Sequence, residues 1–217
     1  MKSLHALRSI ALGTLVALSG LAQAASPEEM VRPIQDRWAE IKYRLPEKEQ
    51  ADQYHALALE ARKLSESNPN APEPLVWEGI VLSTEAGAKG GIGALSLAKE
   101  AKKRLEEALK MNDKALTGSA YTSLATLYAQ VPGWPVGFGD KERAEKYFKA
   151  SLAINPEGID PNYFYGEYLF SRDRPKEARA HLEIALKAAP RPGRELADSG
   201  RRQEIQALLK KIEPDAK

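Results

Sequence analysis

The stretch IDPNYFYGEYLFSRDRPKEARAHLEIALKAAPRP, residues 159–192, decides the fold. Its apolar residues return every three or four positions, the period of an amphipathic helix rather than the two-residue alternation of a strand. Within it Ala178, Leu182, Ala185 and Pro190 are spaced 4, 3 and 5. Ala144, Phe148, Ser151 and Pro156 keep that spacing 34 residues earlier, and Ala101, Leu105, Ala108 and Asp113 keep it a further 43 residues back. A period near 34 with two helices per unit predicts a helical solenoid.

Each position has a physical task. The small residues Ala101, Ala144 and Ala178 let the second helix of a unit approach the first. Leu105, Phe148 and Leu182 fill the core one turn later. Pro156 and Pro190 follow helix ends, where a residue without an N–H ends the helix at little cost. The first helices carry the complementary half: Gly166 with Tyr165 and Leu169, Ala125 with Tyr128, and Gly79 with Leu82.

These residues resemble the tetratricopeptide repeat. The third unit, residues 159–192, fits without insertion; the first two fit in their second helices but have longer turns. Asn162 stands where the repeat usually has Trp, and Trp77 is displaced by two. A degenerate pair precedes them over residues 25–70, with Trp38, Ile41 and Leu45 on one helix and Leu57, Ala61 and Leu64 on the next. The repeats occupy 71–192. The last segment, 193–217, holds a helix over about 195–212 with Ile205, Leu208, Leu209 and Ile212 on one face, which reads as a cap. The expected fold is all-α, a right-handed solenoid of three to four helical hairpins plus a capping helix.

Residues 1–24 are set apart. Lys2, His5 and Arg8 form a basic head, 10–21 are almost wholly apolar, and Ala22-Gln23-Ala24 is a small-x-small cleavage site. That pattern predicts a cleaved secretory signal and a periplasmic destination, with no membrane span after cleavage. Without Lys2 and Arg8 the 32 basic residues become 30, equal to the 30 acidic ones, so the mature chain is formally neutral. With no basic stripe among aromatics, nucleic acid is not an expected partner. The chain has no Cys, which removes disulfides and a lipid-bearing Cys.

Two insertions interrupt the repeat. The step from Gly166 to Ala178 is 12 residues, from Ala125 to Ala144 it is 19, and from Gly79 to Ala101 it is 22. The extra residues fall at about 131–138 (VPGWPVGF) and 84–95. Both sit at the same joint of their units, so they are expected to be neighbours on one edge, where insertions often build a binding face. In the later insertion Pro132-Gly133 suits the centre of a type II turn, Trp134 is held extended by Pro135, and Asp140 suits an N-cap. Trp134 and Phe138 are read as a seal over helix ends or as the wall of a site. In the earlier one, Lys89, Gly90, Gly91 and Gly93 precede a helix expected near Leu95. That order allows weak anion binding by backbone amides, without the Gly-Lys-Ser/Thr of a phosphate loop.

The tetratricopeptide resemblance implies that partners lie on the inner face of the first helices. The positions carried over are Glu73, Val76, Ile80 and Ser83, then Ser119, Thr122, Thr126 and Ala129, then Asp160, Tyr163, Glu167 and Phe170. They lack the Lys, Arg and Asn of a carboxylate clamp. Trp77, Thr122, Thr126, Trp134, Phe138, Tyr163, Glu167 and Phe170 are the candidate binding residues. No catalysis, cofactor or metal is expected: the mature chain has only His55 and His181, without ligand spacing, and no nucleophile motif. The expected function is an exported protein-binding scaffold for a periplasmic protein or peptide. Gly137-Phe138-Gly139-Asp140, followed by Ala144, Tyr147, Phe148 and Pro156, is also similar to the periplasmic T-component of tripartite (TRAP) solute transporters. That similarity implies a ligand-binding accessory with an aromatic-lined groove, a small apolar or anionic ligand, and a homo-oligomer.

Overall fold

The computed structural model describes residues 26–212; the expected signal segment and the final tail lie outside them. Nine α-helices follow one another among the described residues: α1 Pro27–Arg44, α2 Glu47–Ser67, α3 Pro72–Lys89, α4 Gly91–Met111, α5 Ser119–Gln130, α6 Lys141–Ile154, α7 Ile159–Ser171, α8 Pro175–Lys187 and α9 Glu195–Ile212. The fold is all-α, a solenoid of four helical hairpins closed by a ninth helix. None of these helices is long and apolar enough to cross a membrane.

The hairpins close where the repeat places its small residues. A Cβ on Gly79 would stand 2.6 Å from the Leu105 side chain, and one on Gly166 would stand 2.9 Å from Leu182. Ala101, Ala144 and Ala178 are fully buried, as are Leu105 and Leu182. Asn162, in the usual Trp place, is also buried. It donates to the carbonyls of Pro156 (2.8 Å) and Gly158 (2.9 Å), tying the α6–α7 turn to α7. Caps fix several starts: Ser26 forms a capping box with Glu29 on α1, and Asp140 accepts from the Arg143 amide on α6.

The odd-numbered helices pack in sequence, α1 on α3, α3 on α5, α5 on α7 and α7 on α9. The even-numbered ones pack chiefly on their chain neighbours. The array therefore curves with the odd helices inside. α9 also packs on α1, so the first and last members of the inner row meet.

The first insertion is not a loop over 84–95. α3 continues to Lys89 and α4 starts at Gly91, leaving Gly90 alone between them. Ala and Glu along this stretch favour helix, and each helical Gly costs only about 1 kcal/mol relative to Ala. The added residues lengthen both helices. α3 has 18 residues and α4 has 21, against 12 to 14 for α5 to α8. The α3–α4 hairpin is thus longer than the α5–α6 hairpin that follows it.

Candidate functional site

The second insertion lies against the flank of this longer hairpin. Gly137 comes close to Leu95 of α4, and Lys102 of α4 lies 5.7 Å from the Phe138 ring centre. The two insertions are neighbours in space. The base of the loop is tied by the Gly139 amide to the Pro132 carbonyl and by the Asp140 amide to the Tyr128 carbonyl, both 2.9 Å. Its tip is a tighter turn, in which the Val136 and Gly137 amides both donate to the Gly133 carbonyl at 3.1 Å.

Gly133 does not take the positive φ of a type II turn, which corrects that expectation. The glycines serve close approach instead. A Cβ on Gly139 would fall on the Val131 carbonyl oxygen, and one on Gly137 would fall 2.5 Å from the Pro132 carbonyl. The Trp134–Pro135 bond is cis.

The two aromatics of the loop have separate fates. Phe138 turns inward, edge-on to Tyr128 at 5.5 Å, and Tyr128 continues into Tyr147 at 5.6 Å. It seals the stack. Trp134 does not: its side chain stands 90% exposed, with Val136 beside it at 64%. The seal reading is corrected for Trp134, because the turn at Gly133 carries 134–136 away from the helix ends.

Lys89, Gly90, Gly91 and Gly93 meet at the apex of the α3–α4 hairpin. Gly90 and Gly91 have φ of +60° and +64° and nothing near the place of a Cβ, while the Lys89 stem runs alongside Gly93. This is an open apex rather than an enclosed anion cradle.

The inner face is also not an open groove. Trp77, Thr122 and Tyr163 are buried. Thr122 bonds Ser151 at 2.6 Å, within the α5–α6 hairpin. Thr126 bonds back to the Thr122 carbonyl (3.0 Å), and Phe170 packs, half-buried, on the core. Trp77 lies under the Arg194 guanidinium at 5.2 Å. Tyr163 and Phe164 hold the Arg201 guanidinium at 4.4 and 4.5 Å. The C-terminal segment thus covers part of the surface expected to face a partner, Arg194 lying over Trp77 and Arg201 over Tyr163.

α9 is held by charge. Arg201, 6% exposed, donates to Asp160 at 2.9 Å and to Glu204 at 2.6 Å. Arg191 bridges Asp160 (2.7 Å) and Asp198 (2.8 Å). Glu204 also accepts from Tyr43 of α1 at 3.3 Å and pairs with Lys42 at 3.6 Å. Burial opposes the Asp160 charge, but Arg191 and Arg201 outweigh it and hold this carboxyl well below the usual range. Glu167 is pushed upward, chiefly by burial. Its position on the inner face is therefore unfavourable for a charged contact with a partner.

Two polar clusters were not singled out in the sequence. Glu78 is fully buried in the place that Leu124 and Tyr165 take in later units. It accepts from Ser65 at 2.6 Å and lies near Arg62 (3.4 Å) and Arg104 (3.0 Å). Glu85, also buried, meets His55 at 2.9 Å. His181 faces Asn162 at 2.9 Å and packs edge-on to Tyr165. These contacts join helices of neighbouring hairpins or of one hairpin. Among the described residues no group of three His, Cys, Asp or Glu side chains is arranged to hold a metal ion. Comparison of the sequence with protein-family models and with curated proteins gives no match.

Proposed function

We propose that this chain is an exported, tetratricopeptide-type interaction module that scaffolds or recognises another periplasmic protein and performs no catalysis. Export rests on the basic head, apolar run and Ala-x-Ala site of residues 1–24. The partner-facing element is the edge built by the two insertions rather than the inner row, where Trp77, Thr122 and Tyr163 are buried. The observation that carries this is the 90% exposure of Trp134 on a loop fixed at its base by backbone hydrogen bonds and by Phe138. A preorganised aromatic loses little conformational freedom on docking, and Trp is enriched among residues that dominate interface energy.

In-cell photo-crosslinking tests the proposal. A photoreactive residue at position 134 is expected to give a defined protein adduct. One at position 184, where Ile184 is 40% exposed on α8, serves as the control. Equal labelling from both positions, or none from 134, overturns the docking edge.

A further inference from the structure

The turns that join odd-numbered to even-numbered helices share one edge of the solenoid, and they are of two kinds. The outer two are charged. Residues 44–50 hold Arg44, Glu47, Lys48 and Glu49, and residues 171–177 hold Arg172, Asp173, Arg174, Lys176 and Glu177. The middle two, which carry the insertions, are not. Residues 86–98 and 131–139 together contain one charged side chain, Lys89, in a chain that is 29% charged.

This uncharged chain faces outward. Trp134 and Val136 are 90% and 64% exposed, and residues 87–91 are exposed at the α3–α4 apex. A Cβ on Gly87, Gly90 or Gly91 would meet nothing within 4 Å, so the apex is a bare point and not the wall of a groove. Gly137 approaches Leu95, which stands about 7 Å of helix from Gly90. Loop and apex therefore belong to one patch. The acids nearest in sequence are engaged elsewhere: Glu85 is buried against His55, and Asp140 caps α6. Lys89 makes no ion pair among the described residues, and its stem runs alongside Gly93.

We propose that this patch rests on the surface of a lipid bilayer, with Trp134, Val136 and the α3–α4 apex among the headgroups and Lys89 at their phosphates. Trp is enriched at the membrane–water boundary, and a Lys stem can follow apolar surface while its ammonium stays at the headgroups. A protein partner would need a separate pocket for each exposed tip; a bilayer surface receives them together. The first amides of α4 lack a capping side chain. They need water or headgroups, which holds the apex above the hydrocarbon. The inference uses the same edge as the docking proposal but does not require a protein partner.

The test is cosedimentation of residues 25–217 with vesicles of phosphatidylethanolamine and phosphatidylglycerol, read together with tryptophan emission. Trp38 and Trp77 are buried, so changes in emission report Trp134. Binding is expected, with a blue shift and with quenching by lipids brominated in their acyl chains. Ala88→Glu combined with Val136→Glu, both at exposed positions, is expected to weaken binding at least about tenfold. Lys89→Gln is expected to weaken it about fivefold. No binding, binding without the blue shift and bromine quenching, or full affinity in the folded double variant or in Lys89→Gln would each overturn the lipid contact. A protein adduct from position 134 in cells without vesicle binding overturns this inference and leaves the docking proposal standing. Vesicle binding without a protein adduct does the reverse.

Discussion

The Trp134 loop and the α9 seam handle their side chains in opposite ways. At the loop, a large apolar residue is left in water while its neighbour Phe138 is half-buried against the core. At the seam, Arg201 is taken inside, between two aromatic rings and two carboxylates. The exposed Trp forgoes roughly 1.5–3 kcal/mol of burial. The buried Arg carries a desolvation penalty that only its partners offset. The seam is thus stable only as a set, whereas Trp134 contributes almost nothing to the fold that carries it.

The comparison can be broken most severely at the seam. Arg201→Ala leaves Asp160 and Glu204 without their shared cation, and a loss of about 3–5 kcal/mol is expected. Urea unfolding measures it; a loss below 1 kcal/mol would mean that α9 is held by its apolar face alone. Acid is a milder break. Asp160 has its folded pKa below its unfolded value of about 3.9, so its stabilisation is complete above that pH and is lost as the pH falls through the folded value. Glu167 is shifted the other way and loses nothing on protonation. Hydrogen exchange at pH 7, 5 and 3 is expected to show α9 losing protection before α3 and α4.

The loop side yields smaller effects. Gly139→Ala forces a methyl onto the Val131 carbonyl and is expected to cost about 1–3 kcal/mol, by the measure of overpacking. It also removes the position-134 adduct, which tests whether loop rigidity matters for docking. Asp140→Ala removes the α6 cap for about 1 kcal/mol, read as a shift of the urea midpoint. Trp134→Ala is expected to change stability by no more than about 0.5 kcal/mol. It should also remove the red edge of the fluorescence, since Trp38 and Trp77 are buried. A larger loss would place Trp134 in the fold after all.

Much of the hairpin architecture was legible because it rests on local chemistry at fixed offsets. Ala178 followed by Leu182 states a close approach and the side chain that fills it, and Asp140 ahead of an amphipathic run states a cap. The insertions were legible as counts of residues but not as shapes. Glycines at 90, 91 and 93 suggested a loop, yet surrounding helix formers carried the helices through all but Gly90. Pro132-Gly133 suggested a type II turn, but the crossing of two backbone segments decides the need for Gly137 and Gly139. Glu78 gave no signal, because a charged residue within a helix is ordinary until both neighbouring helices cover it.

The sequence by itself determined the repeat, the small residues at each helix crossing, the helix of residues 195–212 and the joint at which both insertions fall. All of these follow from spacing along one or two helices. Tertiary structure alone decided that α9 meets α1, through Tyr43 and Glu204 at 161 positions apart, and that Trp77, Thr122 and Tyr163 of the inner row are buried. It also decided that Trp134 faces water while Phe138 does not. Curvature accumulates from small rotations between successive hairpins. Which distant surfaces finally touch depends on their sum, and no local spacing records it.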